Sequence, residues 1–311
     1  MKMNETATIF SSPESHICSF EKQFFGGSFL PYVDTYSETI LFLAVLAAIL
    51  APLNTLSNLL VLTAIIRTSA LRKSTPNIFI SSLAFADFLV GILYLPLYAA
   101  WSTTPWFVQD CMLYQVKCFM GWLVETASFN IILTICYERY IALFYSLRYL
   151  SILSTEKILF CLVYPWFIAL TAALLFLLSF ANLVLTCGVV CIGVGTVIIF
   201  FTYFRIFKLV RRHQHQIHAQ TIGDSNNARQ RKLAVTMAYV IGVSLVCYLP
   251  YLSGALSYVL YDGFTPQTIC LFQFGEVLFA ASSFINPFIY CVRNEEIKIA
   301  VLGVLRDITC K

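Results

Sequence analysis

Seven apolar runs divide the chain: about 39–66, 76–100, one ending at Glu138-Arg139-Tyr140, and about 156–180, 183–210, 232–260 and 267–291. Each is long enough to cross the ~30 Å apolar layer of a bilayer as a helix rising 1.5 Å per residue. The pattern predicts an all-α membrane protein, a bundle of seven transmembrane helices. Residues 1–37 are polar and carry no charged-then-apolar leader pattern, so they are read as an N-terminal tail before the bundle at 38–292. In 293–311, Ile297, Val301, Leu302 and Leu305 alternate with Lys298 and Arg306, which predicts a short amphipathic helix on the inner leaflet.

Polar positions inside these runs are few and therefore informative. In the third, the long helix read from Lys117 to Arg148, Lys117, Gly121 and Glu125 recur every fourth residue and share one helix face. Ser128, Ile132, Ile135 and Arg139 continue it. A charge at the bilayer centre costs ~2.5–3.5 kcal/mol, so this stripe is expected to line the bundle interior, with Arg139, one membrane thickness from Lys117, emerging at the other face. Asn58 lies in the first run and Asp87 in the second, where Pro96 should disturb the outer half. Glu276 lies on the seventh at a depth where it could face Lys117.

Composition sharpens the class. Residues are 59% hydrophobic and only 12% charged, against about 25% charged in soluble domains. All but Lys2, Lys22 and Lys117 of the 20 Lys and Arg fall in segments read as inner. That asymmetry orients the N-terminus outside and the C-terminus in the cytoplasm. The net charge of +4 is thus a topology signal, and no nucleic-acid partner is implied. Asn4 begins a glycosylation sequon that is usable in that orientation. Eleven cysteines leave at least one thiol without a partner in the chain. Cys18, Cys111, Cys118, Cys187, Cys191 and Cys270 fall toward the outer face, where disulfides persist, with several pairings open. Cys310 is a palmitoylation candidate. No nucleophile–base set or phosphate loop appears, so an enzyme is not expected. His213, His215 and His218 are read as a solvated loop, not a metal site.

The order of motifs resembles the rhodopsin-like G-protein-coupled receptors. Glu138-Arg139-Tyr140 closes the third span. Leu83-Ala84-Phe85-Ala86-Asp87 stands in the second, Trp166 in the fourth and Tyr203 in the fifth. Cys247-Tyr248-Leu249-Pro250 stands in the sixth, with tyrosine where the family commonly has tryptophan. Asn286-Pro287-Phe288-Ile289-Tyr290 closes the seventh. The wording after Arg139 and the near-absence of a loop between spans 4 and 5 are most similar to the melanocortin, cannabinoid, lysophospholipid and adenosine receptor group.

The resemblance implies a multi-pass plasma-membrane receptor that binds an outer or membrane-borne ligand. It implies a heterotrimeric G protein as partner, arrestin as a second, and lipid around the bundle. Glu138, Arg139, Tyr140, Tyr203, Tyr248, Pro250, Asn286, Pro287 and Tyr290 become the activation switch. Asn58, Asp87, Ser128, Ser282, Ser283 and Asn286 become a polar core able to hold a sodium ion; no other cofactor is implied. Tyr94, Tyr98, Lys117, Gly121, Glu125, Tyr248, Tyr251, Glu276 and Phe279 form the candidate ligand pocket, with Gly121 expected to leave space. The competing reading of Lys117 and Glu276 is an internal pair that helps the bundle fold.

Gly121 stands where amine receptors carry their acid. Leu97, Tyr114 and Cys118 stand where melanocortin receptors carry theirs. Short outer loops would leave the candidate pocket open to water or to the outer leaflet, so a small amphiphile or lipid-like ligand is expected, with a melanocortin-like peptide or adenosine-like ligand as the alternative. A transporter or channel would show internal repeats, and none is evident. A retinal receptor needs a lysine in the seventh span, which has none.

Overall fold

The computed structural model describes residues 36–103, 111–178, 180–217, 225–261 and 265–309, with the side chains at 111, 150, 181, 210–217, 225–234 and 266 left out. Among the described residues, seven helices are long and apolar enough to span a membrane. They are α1 (Ser37–Arg67), α2 (Thr75–Thr103), α3 (Cys111–Phe144), α4 (Thr155–Leu177), α5 (Ala181–Ile217), α6 (Ser225–Tyr261) and α7 (Pro266–Arg293); α8 (Glu295–Thr309) follows. No strand occurs among the described residues. Asn4, Cys18 and Cys310 lie outside them, as do the side chains of Cys111, His213 and His215.

Local chemistry explains several boundaries. Pro266 sits at the first turn of α7, where its missing N–H costs nothing. Thr265 caps that turn reciprocally with Thr268: the Thr268 amide donates to Thr265 Oγ1 at 3.3 Å, and the Thr265 amide donates to Thr268 Oγ1 at 2.8 Å. Within α2 the residues Val90–Tyr94 form a π-helical turn just ahead of Pro96. Proline has no N–H to return to the preceding turn, and the wider turn absorbs the mismatch.

The third helix begins at Cys111 and runs past the Glu138-Arg139-Tyr140 motif expected to end it, stopping at Phe144; Ser146–Arg148 form a separate 3₁₀ turn. α5 and α6 each extend inward beyond their apolar runs.

Close approach between α6 and α7 depends on glycine. A Cβ on Gly275 would lie 2.3 Å from the Tyr251 amide nitrogen, and one on Gly254 would lie 2.9 Å from the Phe272 Cα. The two backbones therefore meet in the outer half of the bundle. α8 packs on the inner end of α1 through Ile297, Val301 and Val304. Leu302 and Leu305, expected on the same face, are instead exposed, which leaves them for the leaflet. The Arg67–Asp307 pair beside them spans 3.3 Å but is well solvated, so it adds at most ~1 kcal/mol.

Candidate functional site

Three polar clusters follow one another down the bundle interior. The outer one joins α3 to α7. Lys117 Nζ donates to both carboxylate oxygens of Glu276, at 2.9 and 3.0 Å. Both side chains are buried, 5% and 8% exposed, so water does little to screen the pair. The ammonium also lies 5.0–5.9 Å from the ring centroids of Trp101, Tyr98 and Tyr94, within cation–π range.

Gly121 does not leave open space. A Cβ there would sit 3.0 Å from Tyr94 Cε2, because the Tyr94 ring fills the gap. The free volume among Lys117, Gly121, Glu125, Tyr251 and Glu276 is only about 20 Å³, room for no more than a water. Gln273 joins this cluster, 4% exposed with Oε1 unbonded. It went unnoticed in the sequence, although its spacing of three from Glu276 on α7 was the available signal.

Glu125 sits one layer deeper, 9% exposed. It lies near the Tyr251 hydroxyl, yet its Oε1 has no hydrogen-bond partner. Below it Tyr248 packs between Phe129 and Phe279, at centroid distances of 5.5 and 5.2 Å. The Tyr248 hydroxyl lies close to Ser128 but makes no hydrogen bond.

The middle cluster surrounds Asp87, which is fully buried. Asn286 Nδ2 donates to Asp87 Oδ2 at 2.8 Å, and Ser283 lies beside the carboxylate. The other expected members serve different partners. Asn58 Nδ2 donates to the Asn54 side-chain oxygen at 2.7 Å and toward the Ser283 carbonyl at 3.3 Å, and it does not bond Asp87. The Ser282 hydroxyl is taken by the Phe279 carbonyl at 2.7 Å, and Ser128 is buried without a bond to Asp87.

Asn54 is the member that sequence reasoning missed. Its Nδ2 donates to the Asp87 carbonyl at 2.8 Å, tying α1 to α2. Its position one turn before Asn58 was the signal. Asp87 Oδ1, Asn58 Oδ1 and Asn286 Oδ1 all lack partners. A carboxylate and two amide oxygens are hard donors, so the residues fit a sodium ion chemically. Among the described residues there is no cluster of His, Cys, Asp and Glu suited to a transition metal.

The inner cluster closes α3. Arg139 Nε and Nη2 donate to the two carboxylate oxygens of Glu138, and both side chains are 1% exposed. Tyr149, from the short helical turn that follows, donates its hydroxyl to Glu138 Oε1 at 2.6 Å. Burial, then the neighbouring Glu138 carboxylate, pushes the Tyr149 phenol above its ordinary value, so it stays a donor. Nothing in the sequence marked Tyr149, since eleven residues and a change of helix type separate the partners. The hydroxyls of Tyr203 and Tyr290 are buried and unbonded. Tyr140 faces away from this cluster and stacks on Phe144 at 4.5 Å.

The expected outer disulfides are not formed among the described cysteines. Cys118, Cys187, Cys191 and Cys270 are free thiols. Cys118 is buried inside the bundle, whereas Cys187 and Cys191 are exposed on α5, and this separation keeps their sulfurs apart.

Comparison with known proteins agrees with this architecture. The chain matches the family described as 7 transmembrane receptor (rhodopsin family) over residues 57–183 and 179–290. It belongs to that family and is a receptor, not an enzyme. It is 26% identical to the histamine H2 receptor of Cavia porcellus over 88% of this chain and 81% of that protein. It is 27% identical to human melanocortin receptor 3 over 82% of this chain and 81% of that protein. Mouse melanocortin receptor 5 is 26% identical, with 82% and 80% covered.

Proposed function

We propose that this receptor stands in the plasma membrane with its N-terminus outside, binds a small amphiphilic ligand in the outer half, and activates a heterotrimeric G protein. The observation that carries the reading is the buried Glu138–Arg139–Tyr149 latch at the inner end of α3. It holds a permanently charged guanidinium away from solvent, with the unbonded hydroxyl of Tyr203 buried on α5. Ligand binding favours a second state in which α6 swings out about Pro250 and Arg139 leaves Glu138 for Tyr203 and the opened cleft. Tyr248, wedged between Phe129 and Phe279 two residues before Pro250, is the lever joining the outer layer to that pivot. Tyr290, after Asn286-Pro287, has its own unbonded hydroxyl to place in the new state. Asp87, Asn58 and Asn286 would hold a sodium ion, whose charge favours the inward-closed arrangement. Arrestin is a second partner for the same cleft.

The tight outer cluster and the short α4–α5 connection favour a small ligand over a large one. The named relatives include an amine receptor and peptide receptors. A melanocortin-like peptide, or an adenosine-like ligand, is therefore the second reading. Second-messenger assays of cells expressing the receptor, against lipid, amine, nucleoside and peptide panels, test both. Activation by a peptide alone would replace the amphiphile reading. Activation that persists in Arg139→Ala would remove the latch from the mechanism.

A further inference from the structure

Glu125 borders two spaces. Toward α7 lies the small gap beside Lys117; toward α4 and α5 lies a cavity of about 350 Å³. Phe129, Leu133, Ile168, Leu175, Val184 and Ile192 give that cavity apolar walls, and Tyr248 and Tyr251 of α6 form its far side. Tyr164, Thr171, Leu183, Cys187 and Cys191 at its rim are exposed on the outside of the bundle. α4 and α5 are the two least buried spans, α4 ending at Leu177 and α5 beginning at Ala181. The mouth therefore opens sideways between two membrane helices, onto the lipid.

The chemistry of the lining is one-sided. Asn130 and Thr171 donate to their own helix, to the carbonyls of Thr126 and Phe167 at 2.8 Å each. Glu125 is the only carboxylate among the lining residues, and no lysine, arginine or histidine faces it there. The nearby cation, Lys117, gives both its short contacts to Glu276. Glu125 Oε1, nine-tenths buried, is left without a partner at the inner wall. A buried carboxylate lacking a countercharge is costly, and an incoming cation relieves that cost. An anionic head would be repelled.

We infer that the cavity between α3, α4 and α5 is a membrane-entry binding site for a single-chain amphiphile whose ammonium head rests on Glu125. The volume holds about a dozen water-sized groups, hence a head and a chain of about ten carbons. Its contact with Tyr248, beside Pro250, gives the occupant a route to α6. Only that last consequence rests on the receptor reading above.

The test uses full-length receptor in phosphatidylcholine nanodiscs and two photoreactive ten-carbon probes, a primary amine and the matching alcohol. Labelling is mapped by mass spectrometry and normalised to Phe42, exposed on α1, to correct for partitioning into lipid. The amine should label residues 164–192 with half-saturation at least tenfold below the alcohol, and Glu125→Gln should erase that preference. Cys191→Trp, built from the exposed rim, should lower labelling by both probes to the lipid background set by Phe42, with the folded yield kept. If Glu125→Gln does not fold, the wild-type preference together with loss in Cys191→Trp carries the result. Equal labelling by both probes in the wild type overturns the inference. So does a preference that survives Glu125→Gln, or labelling indifferent to Cys191→Trp. No G protein is present, so failure here leaves the receptor reading untouched, and failure to signal leaves the cavity untouched.

Discussion

Replacing Lys117 by methionine removes the ammonium from the outer cluster and leaves the Glu276 carboxylate 8% exposed with no countercharge. Breaking a buried ion pair from one side costs ~3–5 kcal/mol, mostly the penalty of the stranded charge. Loss of the cation from Tyr94, Tyr98 and Trp101 adds up to ~2 kcal/mol. Even ~3 kcal/mol lowers the folded-to-unfolded ratio more than a hundredfold, at a factor of ten per ~1.4 kcal/mol. The double variant Lys117→Met/Glu276→Met strands nothing and replaces the pair with side chains of similar length. Such exchanges are often neutral or stabilising. Denaturant titration of purified full-length receptor, with cell-surface level as a second readout, should rank the single variant far below the wild type and the double between them, because the double also loses the cation–π contacts but strands no carboxylate at position 276. Wild-type stability in Lys117→Met, or a double no better than the single, would refute the reasoning. In that event a fall in agonist potency alone would assign Lys117 to ligand binding.

Further outcomes follow from the two deeper clusters. Arg139→Ala should abolish agonist-driven G-protein activation while surface receptor remains measurable by flow cytometry. Tyr149→Phe removes a hydrogen bond to a charged group, worth up to ~3 kcal/mol and less for a half-exposed phenol, so basal second-messenger output should rise several-fold. Unchanged basal output would mean the latch does not depend on Tyr149. If a sodium ion occupies the Asp87 cluster, sodium should weaken agonist binding in the wild type and not in Asp87→Asn; an effect that survives the substitution places the ion elsewhere. Cys118 should resist a membrane-permeant alkylating agent until the receptor is unfolded, whereas Cys187 and Cys191 react in the native protein, as read by peptide mapping.

The seven spans and their polar interior positions were legible from the sequence, because both depend on local quantities. A bilayer requires ~20 apolar residues in a row, and helical periodicity assigns each polar residue to a face. The seven helices, the inward stripe of Lys117 and Glu125, and the burial of Asp87 follow from those two facts; Arg139 was expected to emerge at the inner face and is instead 1% exposed, held against Glu138. Pairing was decided by tertiary structure. A face can be read from spacing, but the rotation and distance of the neighbouring face reflect packing summed over the whole bundle. Gly121 suggested a gap, and Tyr94 crosses from α2 to fill it. Asn58 was assigned to Asp87, and Asn54 stands between them. Tyr149 reaches Glu138 only because α3 ends at Phe144 and the chain turns back beneath it. The lateral cavity is the plainest case. Its lining is drawn from four helices, and no single run of residues carries a sign of it, because an unfilled volume is a property of how helices fail to meet.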